Sequence, residues 1–194
     1  MRTVIGFLSR QHGYNALLGL VDSPEYKIEA VFTHALKPKS QDPTRSKRED
    51  YDRFVETCSQ NNIPLFAVDS KEQEISVPDC DYIIEISWRY LIPESIVKKA
   101  RIASFGIHRG KLPEYAGAEP IKQALLKNEK EIILSAHYLD PKIDQGGTIT
   151  TLSHPVNYDQ NTSFENNVQR LRDEITPLFS KLMFKTLEIF EGKK

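Results

Sequence analysis

The stretch Ser104-Phe105-Gly106-Ile107-His108-Arg109-Gly110-Lys111-Leu112-Pro113-Glu114-Tyr115-Ala116-Gly117 joins an apolar, β-rich run to a loop rich in Gly and Pro. In an extended strand, residues two apart face one side, so Ser104, Gly106 and His108 line a common surface with His108 at its open end. An imidazole there titrates near neutral pH, exchanges protons and, when charged, stabilises an oxyanion. A lone histidine is nevertheless more often structural than catalytic. A second group, Asp144, stands before Gly146-Gly147 further along the chain. A carboxylate beside an imidazole orients it and favours its charged form, so Asp144 and His108 would make a working pair. Taken alone, an Asp before Gly is more commonly a turn former.

The elements that must position these residues follow from hydrophobic periodicity. Thr3–Leu8 is an apolar β-rich run that leads through a loop, Ser9–Gly13, into a helix over Tyr14–Val21. Lys27–His34 reads as extended. Lys37–Arg45, polar and carrying Pro38 and Pro43, reads as a mobile surface loop, and Lys47–Asn61 repeats Tyr51, Phe54, Val55 and Cys58 at helical intervals. Pro64–Val68, Asp81–Ser87 and Arg101–His108 follow as extended runs, with a short helix from Pro93. A helix near Ala118–Lys127 precedes two runs, Ile132–Leu139 and Thr148–Val156, that pair as neighbours across the loop Asp140–Gly147. Thr162-Ser163-Phe164-Glu165 fits a capping box opening a long C-terminal helix, with a bend expected near Pro177. Strands alternating with helices predict an α/β fold, a largely parallel sheet flanked by helices that binds ligands beyond the carboxyl ends of its strands.

Composition narrows the classes. The 194 residues carry 26 Lys+Arg against 27 Asp+Glu, a formal charge of -1 that provides no global field for a polyanion. A chain of this length fits a single domain, residues 1–194, able to bury about 70% of its unfolded surface without staples. The longest apolar run, Ala16 to Val21, falls far short of the roughly 20 residues a membrane span needs. No signal-peptide core follows Met1-Arg2, and Cys58 and Cys80 show no paired or metal-ligand spacing, so two reduced thiols and a cytoplasmic location are expected.

From Asp81 to Pro155 the chain resembles the folate-dependent formyltransferases, the family of glycinamide ribonucleotide, methionyl-tRNA and sugar N-formyltransferases. That family carries Asn-x-His at a strand end, Leu-Pro-x-Tyr-Arg-Gly with a Pro shortly after, a later strand His, and Asp-x-Gly. Here these are Gly106-Ile107-His108, Leu112-Pro113-Glu114-Tyr115-Ala116-Gly117, Pro120, His137 and Asp144-Gln145-Gly146. The resemblance implies a Rossmann-like formyltransferase fold and 10-formyltetrahydrofolate as formyl donor. It gives Trp88, Arg89, Tyr90, Leu91 and Ile92 to a folate loop, and Asp140, Pro141, Lys142 and Ile143 to a second loop around the pterin. It makes His108 an oxyanion donor held charged by Asp144, which helps relay the proton of the attacking amine, gives His137 a supporting role, and assigns these residues without a metal. Trp88 and Tyr90 read equally well as core residues of a strand-to-helix turn.

Two positions depart from the family. Gly106 stands where the family has its catalytic Asn, and losing one oxyanion donor typically costs about 10²–10³ in rate. Ser104, Arg109 or a water would have to replace the amide. Ala116 stands where the family usually has Arg, with Arg109 and Lys111 as compensating cations. The N-terminal Ser9-Arg10-Gln11-His12-Gly13 only partly matches the family's phosphate-binding turn. Ser9, Arg10 and Gly13 are the candidates there for a phosphorylated or sugar-nucleotide amine. Because the chain ends at Lys194, after its last helix, tRNA is the least favoured acceptor. The expectation is therefore formyl transfer to a small amine, with a catalytically impaired folate-binding or regulatory homologue and a formyl-folate hydrolase as alternatives.

Overall fold

The structure, a computed structural model, describes residues 1–140 and 146–193. The chain divides into two compact units, Met1–Ser104 and Phe105–Lys194.

The first unit is built from β1 (Arg2–Leu8), α1 (Arg10–Asp22), β2 (Tyr26–Thr33), α2 (Tyr51–Gln60), β3 (Leu65–Ala67), β4 (Cys80–Ile86), α3 (Glu94–Val97) and the start of β5 (Ala100–His108). β1 pairs in parallel with β2 and β4, and β2 with β3. Val4, Ile5, Phe7 and Leu8 of β1 and Tyr82, Ile83, Ile84 and Ile86 of β4 are all fully buried. A parallel strand covered on both faces is apolar on both, which is why these runs do not alternate with polar residues.

α1 starts one residue after β1, and the expected Ser9–Gly13 loop does not exist. Gly13 is the reason. A Cβ there would lie 2.9 Å from the Leu8 carbonyl carbon, so only glycine lets the first turn of the helix rest on the strand end. Arg10 makes the corner at φ 60, and Ser87, just after β4, has the same φ. Neither is glycine, and each such left-handed residue costs about 1 kcal/mol or more.

The polar 37–46 stretch is a loop, and it is closed by hydrogen bonds. Lys37 N–H donates to the Ser46 carbonyl at 2.9 Å, and Asp42 accepts from both the amide and hydroxyl of Thr44 and Ser46. The next helix starts at Tyr51 rather than Lys47, because Arg48 and Asp50 pair with each other across the approach to it. Cys58 and Cys80 are unpaired and buried.

The second unit continues β5 from Phe105 and adds α4 (Pro120–Leu126), β6 (Glu131–Tyr138), β7 (Thr148–Pro155) and α5 (Phe164–Phe190). β5–β6 and β6–β7 are antiparallel, so the sheet is parallel in the first unit and antiparallel in the second. The full strand order is β3-β2-β1-β4-β5-β6-β7. α5 packs on β6 and β7, with the Phe190 ring 5.9 Å from Phe105 and 6.0 Å from Tyr138. Its cap is Ser163 rather than Thr162: the Ser163 hydroxyl accepts the Asn166 amide at 3.1 Å, while the Thr162 hydroxyl accepts from the Asn166 side chain. α5 runs through Pro177 without interruption, and on its flank Lys185 donates to the Thr151 carbonyl of β7 at 3.0 Å.

Candidate functional site

In the first unit the strand order turns back between β1 and β4, and the loops beyond their carboxyl ends flank the position where α/β sheets hold ligands. Ser9 leaves β1 fully buried. Its amide donates to the Ile86 carbonyl at 3.0 Å and its hydroxyl accepts from Arg48 Nη1 at 2.6 Å. Arg48 is in turn held by Asp50. Buried His12, on the first turn of α1, is 3.2 Å through Nδ1 from the Ser87 hydroxyl. Of the three residues expected to take an anion here, Ser9 thus serves the loop that follows β2, Gly13 serves the packing of α1, and Arg10 occupies the corner itself.

The Ser87–Ile92 loop hangs on a histidine at the end of β2. His34, 1% exposed at the end of β2, donates from Nδ1 to the Val68 carbonyl and accepts the Arg89 amide on Nε2 at 3.2 Å. One nitrogen donates and the other accepts, so the ring is neutral. Burial pushes its pKa down from 6.5 to about 4. The Trp88 indole stacks on this imidazole at 4.1 Å and 21°, with Tyr90 edge-on at 5.3 Å and Phe7 edge-on to the indole at 5.1 Å. Glu85 accepts the Trp88 amide at 2.7 Å, and Arg89 Nη2 donates to the Leu36 carbonyl. Trp88 Nε1 is buried with no hydrogen-bond partner among the described residues. Leu91 is 49% exposed and Ile92 6%. The loop is therefore anchored through Trp88 and Arg89, opens at Leu91 and returns to the core at Ile92.

In the second unit β5 ends at His108, where the sequence places it. His108 Nε2 lies 2.7 Å from the Tyr115 carbonyl oxygen, which fixes the proton on Nε2, since a carbonyl only accepts. Gly110 makes this contact possible: a Cβ there would sit 2.7 Å from that same oxygen, 2.9 Å from Pro120 Cβ and 3.0 Å from His108 Nε2. Ser135 ties the loop down from β6, donating to the Gly110 carbonyl at 2.8 Å and accepting the Leu112 amide at 3.2 Å. The Tyr115 hydroxyl donates to Glu129, which raises its pKa to about 12.

Gly110, Tyr115 and Ser135 were not among the site candidates: Gly110 acts by lacking a side chain, Tyr115 through its carbonyl and Ser135 through a hydroxyl that meets two backbone groups, roles that no residue type advertises. Arg109 and Lys111, expected to bind substrate, line a cleft of about 210 Å³ with Tyr115, Pro120 and Glu129. Lys111 pairs there with Glu114 at 3.0 Å. Ser104, a possible stand-in for the missing amide, donates its hydroxyl to the Val97 carbonyl at 2.8 Å within the first unit.

Gly106 stands directly opposite His137 in the β5–β6 ladder, and His108 opposite Ser135. Asp140 is exposed at the end of β6, and Pro141, Lys142, Ile143 and Asp144 lie outside the described residues. The loop regains β6 at Gly146, whose backbone is so close to the Tyr138 carbonyl that a Cβ would lie 1.7 Å from its oxygen.

Methionyl-tRNA formyltransferase of Leptospira interrogans is 25% identical over 194 residues, which cover 96% of this chain and 58% of that protein, so the chain spans little more than half the relative's length. The crystal structure of glycinamide ribonucleotide transformylase 1 from Symbiobacterium toebii superposes with a TM-score of 0.72 at 16% identity, covering 99% of this chain and 89% of that one. A formyltetrahydrofolate deformylase from Pseudomonas syringae pv. tomato superposes with a TM-score of 0.69 at 21% identity, covering 98% and 62%. Likeness at this identity speaks for the fold: a Rossmann-like sheet with its long final helix. The model of the formyl transferase family matches residues 4–181, nearly the whole chain, and the chain belongs to that family.

Proposed function

We propose that the protein transfers a formyl group from 10-formyltetrahydrofolate to the amine of a small, phosphate-bearing or sugar-nucleotide acceptor. The observation that carries this reading is His108, held at the end of β5 with Nε2–H on the Tyr115 carbonyl. An imidazole so fixed donates from Nδ1 only when charged, and a charged histidine aimed at a developing oxyanion is what formyl transfer needs. Asp144 is assigned to hold that charge. The pterin is assigned to the backbone of Tyr90, Leu91 and Ile92 together with Asp140–Ile143, because the amides of Trp88 and Arg89 already serve Glu85 and His34. Arg10, with Ser9 and Gly13 shaping the corner beside it, is assigned to the acceptor's anionic group, and Arg109 and Lys111 to its approach.

In this reading the amine attacks the formyl carbon and the oxygen becomes an oxyanion facing His108. Collapse then releases tetrahydrofolate. A second reading, hydrolysis to formate, is supported by the likeness to the deformylase and by the glycine at position 106, which brings no side chain to that place.

The test is tetrahydrofolate release from 10-formyltetrahydrofolate with glycinamide ribonucleotide, amino-sugar nucleotides or methionyl-tRNA, read with mass spectrometry of the product. Release that depends on a small amine, and is lost in His108→Ala, is the expected result. Release without any amine supports hydrolysis, release only with methionyl-tRNA moves the acceptor to RNA, and binding without release leaves a folate-binding homologue.

A further inference from the structure

The family places an amide at the position that glycine occupies here, and the ladder identifies what faces that gap. Directly opposed residues in an antiparallel pair share a face, with their Cβ atoms about 4.5–5.5 Å apart. Gly106 is opposed by His137, so an imidazole borders the space that a side chain at 106 would fill, on the face that also carries His108. The β6–β7 register slips between Ala136 and His137, an irregularity of the kind that re-aims a side chain. His137 is 3% exposed, which keeps bulk water from its ring.

Its tautomer is set as well. Nδ1 lies 3.0 Å from the Tyr138 carbonyl oxygen and must carry the proton, so in the neutral ring Nε2 holds a lone pair. The anchor is firm, because Gly146 packs its backbone against the same carbonyl. His108 is pinned through the opposite nitrogen. The face therefore presents two histidines pinned through opposite nitrogens, with the lone pair of the neutral ring on Nδ1 of His108 and on Nε2 of His137.

We propose that His137, which faces the glycine at position 106 across the ladder, is the base whose Nε2 carries the amine's proton. The inference rests on the formyl-transfer reading. The amine nitrogen bonds to the formyl carbon as the carbonyl π pair moves onto oxygen, and Nε2 takes one proton from that nitrogen. The oxygen pair then reforms the carbonyl, the bond from carbon to folate N10 breaks, and N10 receives the proton from His137. The products are the formamide and tetrahydrofolate, and His137 returns to its neutral form.

The experiment compares His137→Ala and His137→Asn with the wild-type protein in the tetrahydrofolate-release assay, alongside thermal melts and tetrahydrofolate binding. Asn places an N–H where Nδ1 sits, so it keeps the bond to the Tyr138 carbonyl and removes only the base. The expected result is a kcat lowered about 10²-fold or more in both variants, with folding and folate binding kept and added imidazole restoring His137→Ala. Asn activity within threefold of wild type would assign the ring a structural role and overturn the proposal, as would an active Ala variant or failure of imidazole to restore a folded one. No turnover in the wild-type protein removes the formyl-transfer reading itself and this proposal with it.

Discussion

Gly110 shows how little slack there is around His108. Gly110→Ala adds one carbon 3.0 Å from Nε2 and 2.7 Å from the oxygen that holds it, and the backbone carbonyl is the part least able to move. The ring has to leave its place. A displacement of about 1 Å in a catalytic group can cost about 10²-fold in rate, so kcat for Gly110→Ala is expected to fall by that order while folate still binds. Steady-state kinetics with folate titration checks this, and an unchanged kcat would remove Tyr115 and Gly110 from the positioning of His108. His34 makes a different prediction. Its pKa is 6.5 in the unfolded chain and about 4 when folded, so between those values the unfolded state binds more protons and stability rises with pH. The contribution, about 3 kcal/mol for a shift of this size, is complete above about pH 6.5 and is lost as pH falls toward 4. Urea titrations at a series of pH values should show this slope in the wild-type protein and a shallower one in His34→Phe.

At the scale of elements, much of the fold is legible in the sequence because apolar runs and strands coincide. β1, β4 and β6 follow their runs within a residue or two, and α4 and α5 lie where helical spacing puts them. The start of α1 is not legible. Its cause is a contact between Gly13 and Leu8, and a glycine in a polar stretch reads as a loop until the strand end it touches is known. The 37–46 loop hid its order for a similar reason, since Asp42 and its hydroxyl partners form ties that hydropathy does not register. Legibility of the candidate site divides the same way. His108 is visible from its strand-end position, whereas Ser135 and His34 act by bonding side chain to backbone between segments far apart in sequence, and Gly110 acts by having no side chain beside the Tyr115 carbonyl. The cap of α5 is testable on its own. Ser163→Ala removes the acceptor of the Asn166 amide and is expected to cost about 1 kcal/mol in chemical denaturation, with activity unchanged.

Taken whole, the chain places both its thiols inside the first unit. Cys58 is on α2 and Cys80 begins β4, and burial raises each pKa to about 11. Reaction with a thiol reagent needs both access and the thiolate, so labelling of the native protein near pH 8 should be far slower than that of a free cysteine and should become complete in urea. Mass spectrometry of the labelled protein reads this directly, and rapid native labelling would mean that the first unit opens easily. Family membership, matched over residues 4–181, agrees with what the ordered motifs imply, while the acceptor depends on side chains that spacing alone does not align.

The bond from Lys185 to the Thr151 carbonyl bears on how the molecule behaves in a crowd. β7 closes the strand order, and a terminal strand with open backbone groups is a template on which a neighbouring chain can add its own strand. A lysine from α5 occupying one of those acceptors sets a bulky, hydrated charge beside β7, and Pro155, which has no N–H to offer, ends it. With a formal charge of only -1 to keep copies apart, this local guard protects a nearly neutral protein against stacking edge to edge.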